Sequence, residues 1–212
     1  MKRNSWAGYS IKEKEHLELE DKWAGQNVKI LKELNIIEKE IRVKEIRLLG
    51  VGCSKGFFIS RCEKLGIKVN GLDIDPEVID GKRVRKCNIE SEKFPFKKET
   101  FDVVFSAGVI QHLSKPPSNF MIESNRVLKK GGKLILMIRN EKSWLNILVS
   151  DYDNFRHKST WTKTSLEQMF RFYKFKIKYV NPKFMGMKIF NLLPRFLRFK
   201  IGTNIIIIGE KR

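Results

Sequence analysis

Leu48-Leu49-Gly50-Val51-Gly52-Cys53-Ser54-Lys55-Gly56, followed by Val69-Asn70-Gly71-Leu72-Asp73, is the stretch that decides the fold. The apolar run from Ile46 to Val51 predicts a short buried strand. It stops in a glycine-bearing turn, and a second strand ends in the carboxylate of Asp73. A strand, a glycine loop, a helix and a strand closed by an acid make a nucleotide-binding unit. Glycine lets backbone approach a ligand where a Cβ would clash, and the acid can accept both hydroxyls of a ribose. The spacing is Gly-x-Gly-x-x-x-Gly. Dinucleotide dehydrogenases carry Gly-x-Gly-x-x-Gly, so the extra residue points away from NAD.

Further blocks follow in order. Phe94-Pro95-Phe96 leads into Glu99-Thr100-Phe101-Asp102-Val103-Val104-Phe105-Ser106, another apolar run. Then come Gln111-His112-Leu113, Arg126-Val127-Leu128-Lys129-Lys130-Gly131-Gly132 and Lys133-Leu134-Ile135-Leu136-Met137-Ile138. In this order and spacing the set resembles class I S-adenosylmethionine-dependent methyltransferases. The nearest type is the broad methyltransferase domain 11-like group that acts on small molecules, lipids and glycans. The resemblance runs from about Arg47 to Asn140, with weaker echoes toward the C-terminus. Several blocks in register are more specific than any one glycine loop.

The 212 residues suit one domain with elaborations, and a hydrophobic content of 42% is enough for a core. No window holds the ~18 uninterrupted apolar residues of a membrane span. Met1-Lys2-Arg3-Asn4-Ser5-Trp6 opens without an apolar segment, so no signal peptide is expected. Cys53, Cys62 and Cys87 lack metal-ligand spacing, and reduced thiols in a cytoplasmic protein are the expectation, with no metal. The net charge is +19, and it is uneven: residues 154–200 hold twelve Lys and Arg against Glu167 as the one acid. Such a region attracts phosphates of nucleic acid, anionic lipid or nucleotide-linked substrates. A merely lysine-rich, solvated surface is the competing reading.

Ser10 to Glu38 reads as a helix, with Leu17, Leu19, Trp23, Val28, Leu31 and Leu34 recurring among charges. The resemblance implies that this N-terminal helix packs beside the cofactor site, so residues 1–45 are expected as a helical cap on a 46–212 binding domain. Strands are predicted at Ile46–Val51, Lys68–Asp73, Val84–Cys87, Phe101–Ser106 and Lys133–Ile138. Helices are predicted at Gly56–Leu65, Pro76–Asp80 and Pro117–Leu128, with Gly131-Gly132 as a helix stop. This alternation predicts an α/β fold with a parallel sheet and helices on both faces. Thr164 to Tyr173 reads as a helix capped by Thr164 with Glu167, and Phe175–Val180 as a strand. Asn204–Ile208 is a β-branched run suited to a strand buried on both faces. The resemblance implies a Rossmann-like, mostly parallel sheet of seven strands, its last strand antiparallel and inserted between strands five and six.

Methyl transfer from a sulfonium is an in-line displacement in which the protein mainly aligns donor and acceptor and excludes water. By resemblance the cofactor is S-adenosylmethionine. Gly52 and Gly56 then shape the loop around it, Cys53 sits in that loop without catalytic duty, and Asp73 takes the ribose hydroxyls, with Ile74 beside it. Asn88 stands where an acid often faces the adenine amine, and Ile89 offers its backbone N–H. Ser106 and Ala107 face the methionyl end. Two departures stand out. Gly50 occupies the place of the Asp or Glu that helps hold the cofactor's ammonium. Ser54 replaces the middle glycine and Lys55 a small residue, so Lys55 either opposes the ammonium or pairs with the methionine carboxylate. On this reading Gly50→Asp should tighten cofactor binding.

His112, in Gln111-His112-Leu113 after the fourth strand, is the candidate base, against a histidine that only packs or orients the loop. His157, before Ser159-Thr160-Trp161-Thr162, is a second candidate that either lines the acceptor pocket or lies on the surface. No Asp/Asn-Pro-Pro-aromatic motif follows the fourth strand, which disfavours methylation of exocyclic amines of bases. Lys183 to Lys200 mixes aromatic, leucine and methionine residues with cations; it is either an interfacial patch or an insertion capping the core.

The expectation is therefore a methyltransferase acting on an oxygen or carbon of a small-molecule, lipid or glycan acceptor. It would be cytoplasmic, with peripheral contact with anionic membrane left open. Two alternatives stand beside it: a degenerate, non-catalytic cofactor-binding or scaffold protein, suggested by Gly50 and Ser54, and an RNA-directed enzyme, suggested only by charge. Oligomeric state is unspecified.

Overall fold

The computed structural model describes residues 10–34, 36, 46–74, 83–140, 142–144, 147, 159, 161–183 and 193–212. Helix α1 (Ser10–Glu33) precedes β1 (Arg47–Val51), α2 (Phe57–Glu63), β2 (Lys68–Asp73), β3 (Val84–Lys86) and β4 (Phe101–Ala107). A 3₁₀ turn (Ile110–His112), α3 (Ser118–Val127), β5 (Leu128–Arg139), α4 (Lys163–Phe172), β6 (Phe175–Lys183), α5 (Arg195–Ile201) and β7 (Asn204–Lys211) complete the order. The strands form one seven-stranded sheet in the order β3-β2-β1-β4-β5-β7-β6. β1 pairs in parallel with β2 and β4, and β4 with β5. β7 alone runs antiparallel, between β5 and β6.

The sheet has a core on each face because neighbouring side chains on a strand point to opposite sides. Leu49, Val51, Val104, Leu134, Leu136, Ile205 and Ile207 pack with Phe120 and Met121 of α3 and Leu166 and Phe170 of α4. Leu48, Val69, Phe105, Ile135, Ile206 and Ile208 pack with Ala24, Val28 and Leu31 of α1 and Phe58, Ile59 and Cys62 of α2. This explains the isoleucine run of β7: both of its faces are covered, so no polar residue alternates in.

Three local expectations need correction. The cap of α4 is Thr162, not Thr164. The Thr162 side chain accepts from Ser165 N while Ser165 Oγ engages the Thr162 backbone, a reciprocal capping box two residues upstream. Gly131-Gly132 does not stop α3. The chain leaves the helix at Leu128, which is already extended, and Gly131 (φ 74°) lies where the β4–β5 register shifts between Phe101 and Val103. β5 therefore begins at Leu128 rather than Lys133. The helix expected at Pro76–Asp80 and the rest of the expected N-terminal cap, residues 1–9 and 37–45, lie outside the described residues. Among the described residues no helix is long and apolar enough to cross a membrane.

Candidate active site

The carboxyl ends of β1 and β4 open onto a cleft of about 1010 Å³, at the point where the strand order turns from β1 to β4. In open α/β sheets ligands bind at this switch point. The loop after β1 is shaped by close contacts. Gly52 has φ 71°, and a Cβ there would lie 2.2 Å from Val109 Cγ2, so only glycine lets the two loops meet. Gly52 N donates to Leu72 O at 2.8 Å, tying the loop to β2. Ser54, at φ 47°, donates its N–H to Asp73 Oδ2 at 2.7 Å and its hydroxyl to Glu20 Oε1 at 2.9 Å. Loop, strand-end acid and α1 are thus joined through one residue.

Helix α1 presents Glu20, Trp23, Ala24 and Asn27 to the cleft. Their i, i+3, i+4, i+7 spacing defines one helix face. The helix is fixed by a two-point contact in which Arg61 Nε and Nη2 donate to Asp21 Oδ1 and Oδ2 at 2.9 and 2.6 Å. The Arg61 bond is the main reason the Asp21 carboxyl lies below its usual range.

Gly50, Gly52, Cys53, Asp73, Ile74, Asn88, Ile89, Ala107 and His112 all line the cleft. Lys55, Gly56 and Ser106 are not on its wall. Gly56 (φ 80°) starts α2 and acts through the course of the loop. Ser106 fails for a strand-geometry reason: Phe105 and Ala107 line the cleft, whereas Ser106 is 2% exposed and its hydroxyl has no partner among the described residues. Asn88 Oδ1 already accepts from Glu90 N at 3.0 Å in a local turn. The Cys53 thiol donates weakly to Leu72 O at 3.6 Å; burial, then the Asp73 charge, push it up to about 12. It carries its proton at neutral pH and is no nucleophile. His157 lies outside the described residues.

Beyond the glycine loop the wall is built by Val109, Gln111, His112, Arg139, Thr203 and Asn204. Buried Gln111 accepts from Arg139 N at 3.3 Å. Ser159 donates its N–H to Gln111 O and its hydroxyl to Ile110 O, both at 3.2 Å, and Trp161 Nε1 donates to Ser159 Oγ at 2.9 Å. The 3₁₀ turn carrying His112 is therefore braced from behind. The sequence reading missed Glu20, Asn27, Arg139, Thr203 and Asn204. Arg139 had a signal, a cation closing the apolar run of β5 at the sheet's ligand edge. Glu20 and Asn27 had only their helical spacing with Trp23.

The cleft's charge is opposite to that of the chain. Its described lining holds Glu20, Asp73 and Glu90 against Arg139, in a protein of net charge +19. Such a cleft suits a small cation. Asn27 Oδ1 is a buried acceptor with no partner among the described residues, a group that needs a donor from a ligand or water. Strand-end carboxylate, glycine cradle and acceptor-rich wall fit a nucleoside with a cationic tail, as S-adenosylmethionine is. Among the described residues no group of three or more His, Cys, Asp or Glu could hold a metal.

A family model described as a methyltransferase domain matches residues 49–136, from β1 through this loop to most of β5. The chain belongs to the class I S-adenosylmethionine-dependent methyltransferases. S-adenosylmethionine is accordingly its cofactor. The methyltransferase is 31% identical over 58% of its length to the biotin biosynthesis bifunctional protein BioHC of Cellvibrio japonicus. It is 30% identical over 68% of its length to the uncharacterized protein MJ1123 of Methanocaldococcus jannaschii, spanning 67% of that protein. It is 30% identical over 49% of its length to a ubiquinone biosynthesis O-methyltransferase of Cereibacter sphaeroides. The matches span only 26% of BioHC and 46% of the ubiquinone enzyme. The fold is similar to that of a SAM-dependent methyltransferase from Archaeoglobus fulgidus, with TM-score 0.68 and 17% identity, covering 92% of this chain and 99% of that one.

Proposed function

We propose that this methyltransferase methylates an oxygen or carbon of a small-molecule, lipid or glycan acceptor, with α1 as a helical cap on the 46–212 body. The observation that carries the reading is the two-ended cleft: the Gly52 loop and Asp73 at one end, His112, Arg139 and Asn204 at the other. The bound cofactor supplies a methyl group already activated by its sulfonium. Asp73 accepts from the ribose hydroxyls, and Asn88 and Ile89 face the adenine. Gly52 lets backbone approach, and Ala107, being small, leaves room at the reacting end. The protein's main task is alignment and exclusion of water, which the apolar lining residues Phe57, Phe105 and Val109 serve. His112, exposed at the mouth, takes the proton of an acceptor hydroxyl. The similarity to a ubiquinone biosynthesis O-methyltransferase supports an oxygen acceptor.

The test is a thermal-shift titration with S-adenosylmethionine, followed by transfer of labelled methyl to separated lipid, glycan and soluble fractions. A ligand at ~100 times its dissociation constant adds ~2.7 kcal/mol of stability, so a clear shift is expected. Absence of a shift overturns the catalytic reading in favour of a scaffold. Labelling confined to RNA overturns the acceptor class.

A second observation favours a peripheral position at an anionic membrane. Trp144, Ile147 and Phe196 are exposed apolar residues beside Lys142 and Lys200, where an acceptor with a lipid anchor would lie.

A further inference from the structure

On the sequence reading Gly50 is the place of a missing acid, and a side chain there would be tightly packed. A Cβ on Gly50 would lie 3.1 Å from Ile59 Cδ1 and 3.3 Å from Phe58 Cδ1. Both contacts are with buried side chains of α2, and Phe58 is itself stacked on Phe105 at 4.8 Å between ring centroids. A carboxylate carried on β1 at this position would have to push these side chains aside. The cofactor's ammonium still has to leave water, and an unpaired buried cation is strongly disfavoured.

The missing charge is on the other wall. Glu20 of α1 lines the same cleft as Gly50, Gly52 and Ser54. Its carboxylate is aimed by the Ser54 hydroxyl at 2.9 Å, and its helix is anchored at the next residue by the Asp21–Arg61 contact. Two turns along the same face, Asn27 brings a buried carbonyl oxygen with no partner among the described residues. An ammonium has three donors and no acceptor, so a carboxylate and an amide oxygen on one wall are a matching set. Ser54 becomes intelligible as well. It takes a left-handed backbone at φ 47°, a conformation that favours glycine, and in return supplies the hydroxyl that positions Glu20.

We propose that α1 supplies the acid that β1 lacks at Gly50: Glu20, assisted by Asn27, holds the ammonium of S-adenosylmethionine. The proposal rests on the cofactor reading of the cleft, and it makes the N-terminal helix part of the binding site rather than a cover.

The experiment is calorimetric titration of the full chain and of Glu20→Gln with two ligands. One is S-adenosylmethionine. The other is 5′-methylthioadenosine, which keeps adenine and ribose but has a neutral thioether in place of the sulfonium and lacks the amino-acid end. Glu20→Gln keeps the shape and an oxygen for the Ser54 hydroxyl, and removes the charge. It should weaken S-adenosylmethionine about 10- to 150-fold, the range for losing a charge-assisted hydrogen bond. Methylthioadenosine should bind as to the parent. Asn27→Ala should weaken S-adenosylmethionine by a smaller factor, again sparing methylthioadenosine. Equal weakening of both ligands by Glu20→Gln means that the residue only holds the loop, and overturns the proposal, as does no weakening of either. If the parent binds methylthioadenosine but not S-adenosylmethionine, the amino-acid end has no site and the proposal falls while the nucleoside site stands. If the parent binds neither, the cofactor reading itself fails.

Discussion

Ser54 holds a left-handed backbone, φ 47°, while its hydroxyl donates to Glu20 Oε1 across 34 residues of sequence. Strain and hydrogen bond oppose one another at a single position. A non-glycine residue in that region costs ~1 kcal/mol or more, and a hydrogen bond to a carboxylate returns ~1.5 kcal/mol, less where solvent reaches it. Ser54→Gly removes both effects, whereas Ser54→Ala removes only the bond. Urea unfolding should therefore rank Ser54→Ala below Ser54→Gly. The reverse order would mean that the left-handed backbone at residue 54 costs nothing, and a parent no more stable than Ser54→Ala would mean that the Glu20 contact contributes nothing to folding.

Gly50→Asp, which sequence alone suggested as a repair, should now behave as damage. The new Cβ would press on Ile59 and Phe58, and overpacking of a filled core costs ~1–3 kcal/mol. A lower melting temperature with no gain in cofactor affinity is expected. Unchanged melting together with tighter binding would show that Phe58 yields easily and that the first-strand position is open after all.

Much of this was legible beforehand because the deciding signals are local. Apolar runs ending in Gly52 and in Asp73 mark strand ends at one edge of a parallel sheet, so Gly52, Asp73 and Asn88 fall around one cleft whatever the rest does. The isoleucine run could only be a strand covered on both faces. What was not legible depends on distant contacts. Nothing near Ser54 in sequence announces Glu20, and nothing near Gly50 announces that Phe58 fills its space. Ser106 is one residue out of phase with Ala107, so strand parity turns it away from the cleft wall. The α4 cap was misassigned because Thr162 and Thr164 both precede helix-forming residues, and only the reciprocal contact with Ser165 decides between them.

Asp73→Ala should weaken S-adenosylmethionine ~10- to 150-fold, from loss of ~1.5–3 kcal/mol of hydrogen bonding to a carboxylate. It should weaken methylthioadenosine as much, since the ribose is common to both ligands. That pattern is the opposite of the one expected for Glu20→Gln. Part of the effect passes through Ser54 N, which donates to Asp73 at 2.7 Å. Asp73→Asn, which keeps an oxygen for that bond, should retain more affinity than the alanine variant. Equal affinities of parent and Asp73→Ala in calorimetry would remove Asp73 from the site.

Burial first, then the neighbouring Asp73 charge, raise the Cys53 thiol from 9.0 to about 12; burial first, then Glu63, does the same for Cys62. A group whose folded value is raised contributes stability that is complete below its unfolded value and is lost as pH rises toward the folded one. Stability should therefore decline between about pH 9 and pH 12, and Cys53→Ala should flatten part of that decline relative to its own stability at pH 8. Iodoacetamide at pH 8 should leave Cys53 unmodified in the folded chain. Rapid alkylation without unfolding would contradict a buried, protonated thiol.

The residues after β5 meet α5 beside the Arg139 and Asn204 end of the cleft. Asn140 Nδ2 donates to Phe199 O and Gly202 O, both at 2.8 Å, and Ser143 Oγ to Ile201 O at 3.1 Å, which seats the residues after β5 against α5. Around this junction Trp144, Ile147 and Phe196 are 52%, 60% and 64% exposed, and Lys200 Nζ lies 5.0 Å from the Trp144 ring centroid. Phe196 and Lys200 share one face of α5 at i and i+4. Of the stretch suspected of membrane contact, Phe184 to Lys200, residues 184–192 lie outside the described residues, and the described part in α5 combines grease and charge. Each cation near an anionic surface is worth ~1 kcal/mol and buried apolar side chains add to it. Anionic vesicles should therefore co-sediment the protein, and neutral vesicles far less. The Trp144→Ser, Phe196→Ser double variant should lose most of that retention at unchanged melting temperature, because both side chains already face solvent. If the folded double variant sediments like the parent, the attraction is general electrostatics of a +19 chain, and the acceptor is to be sought among soluble molecules.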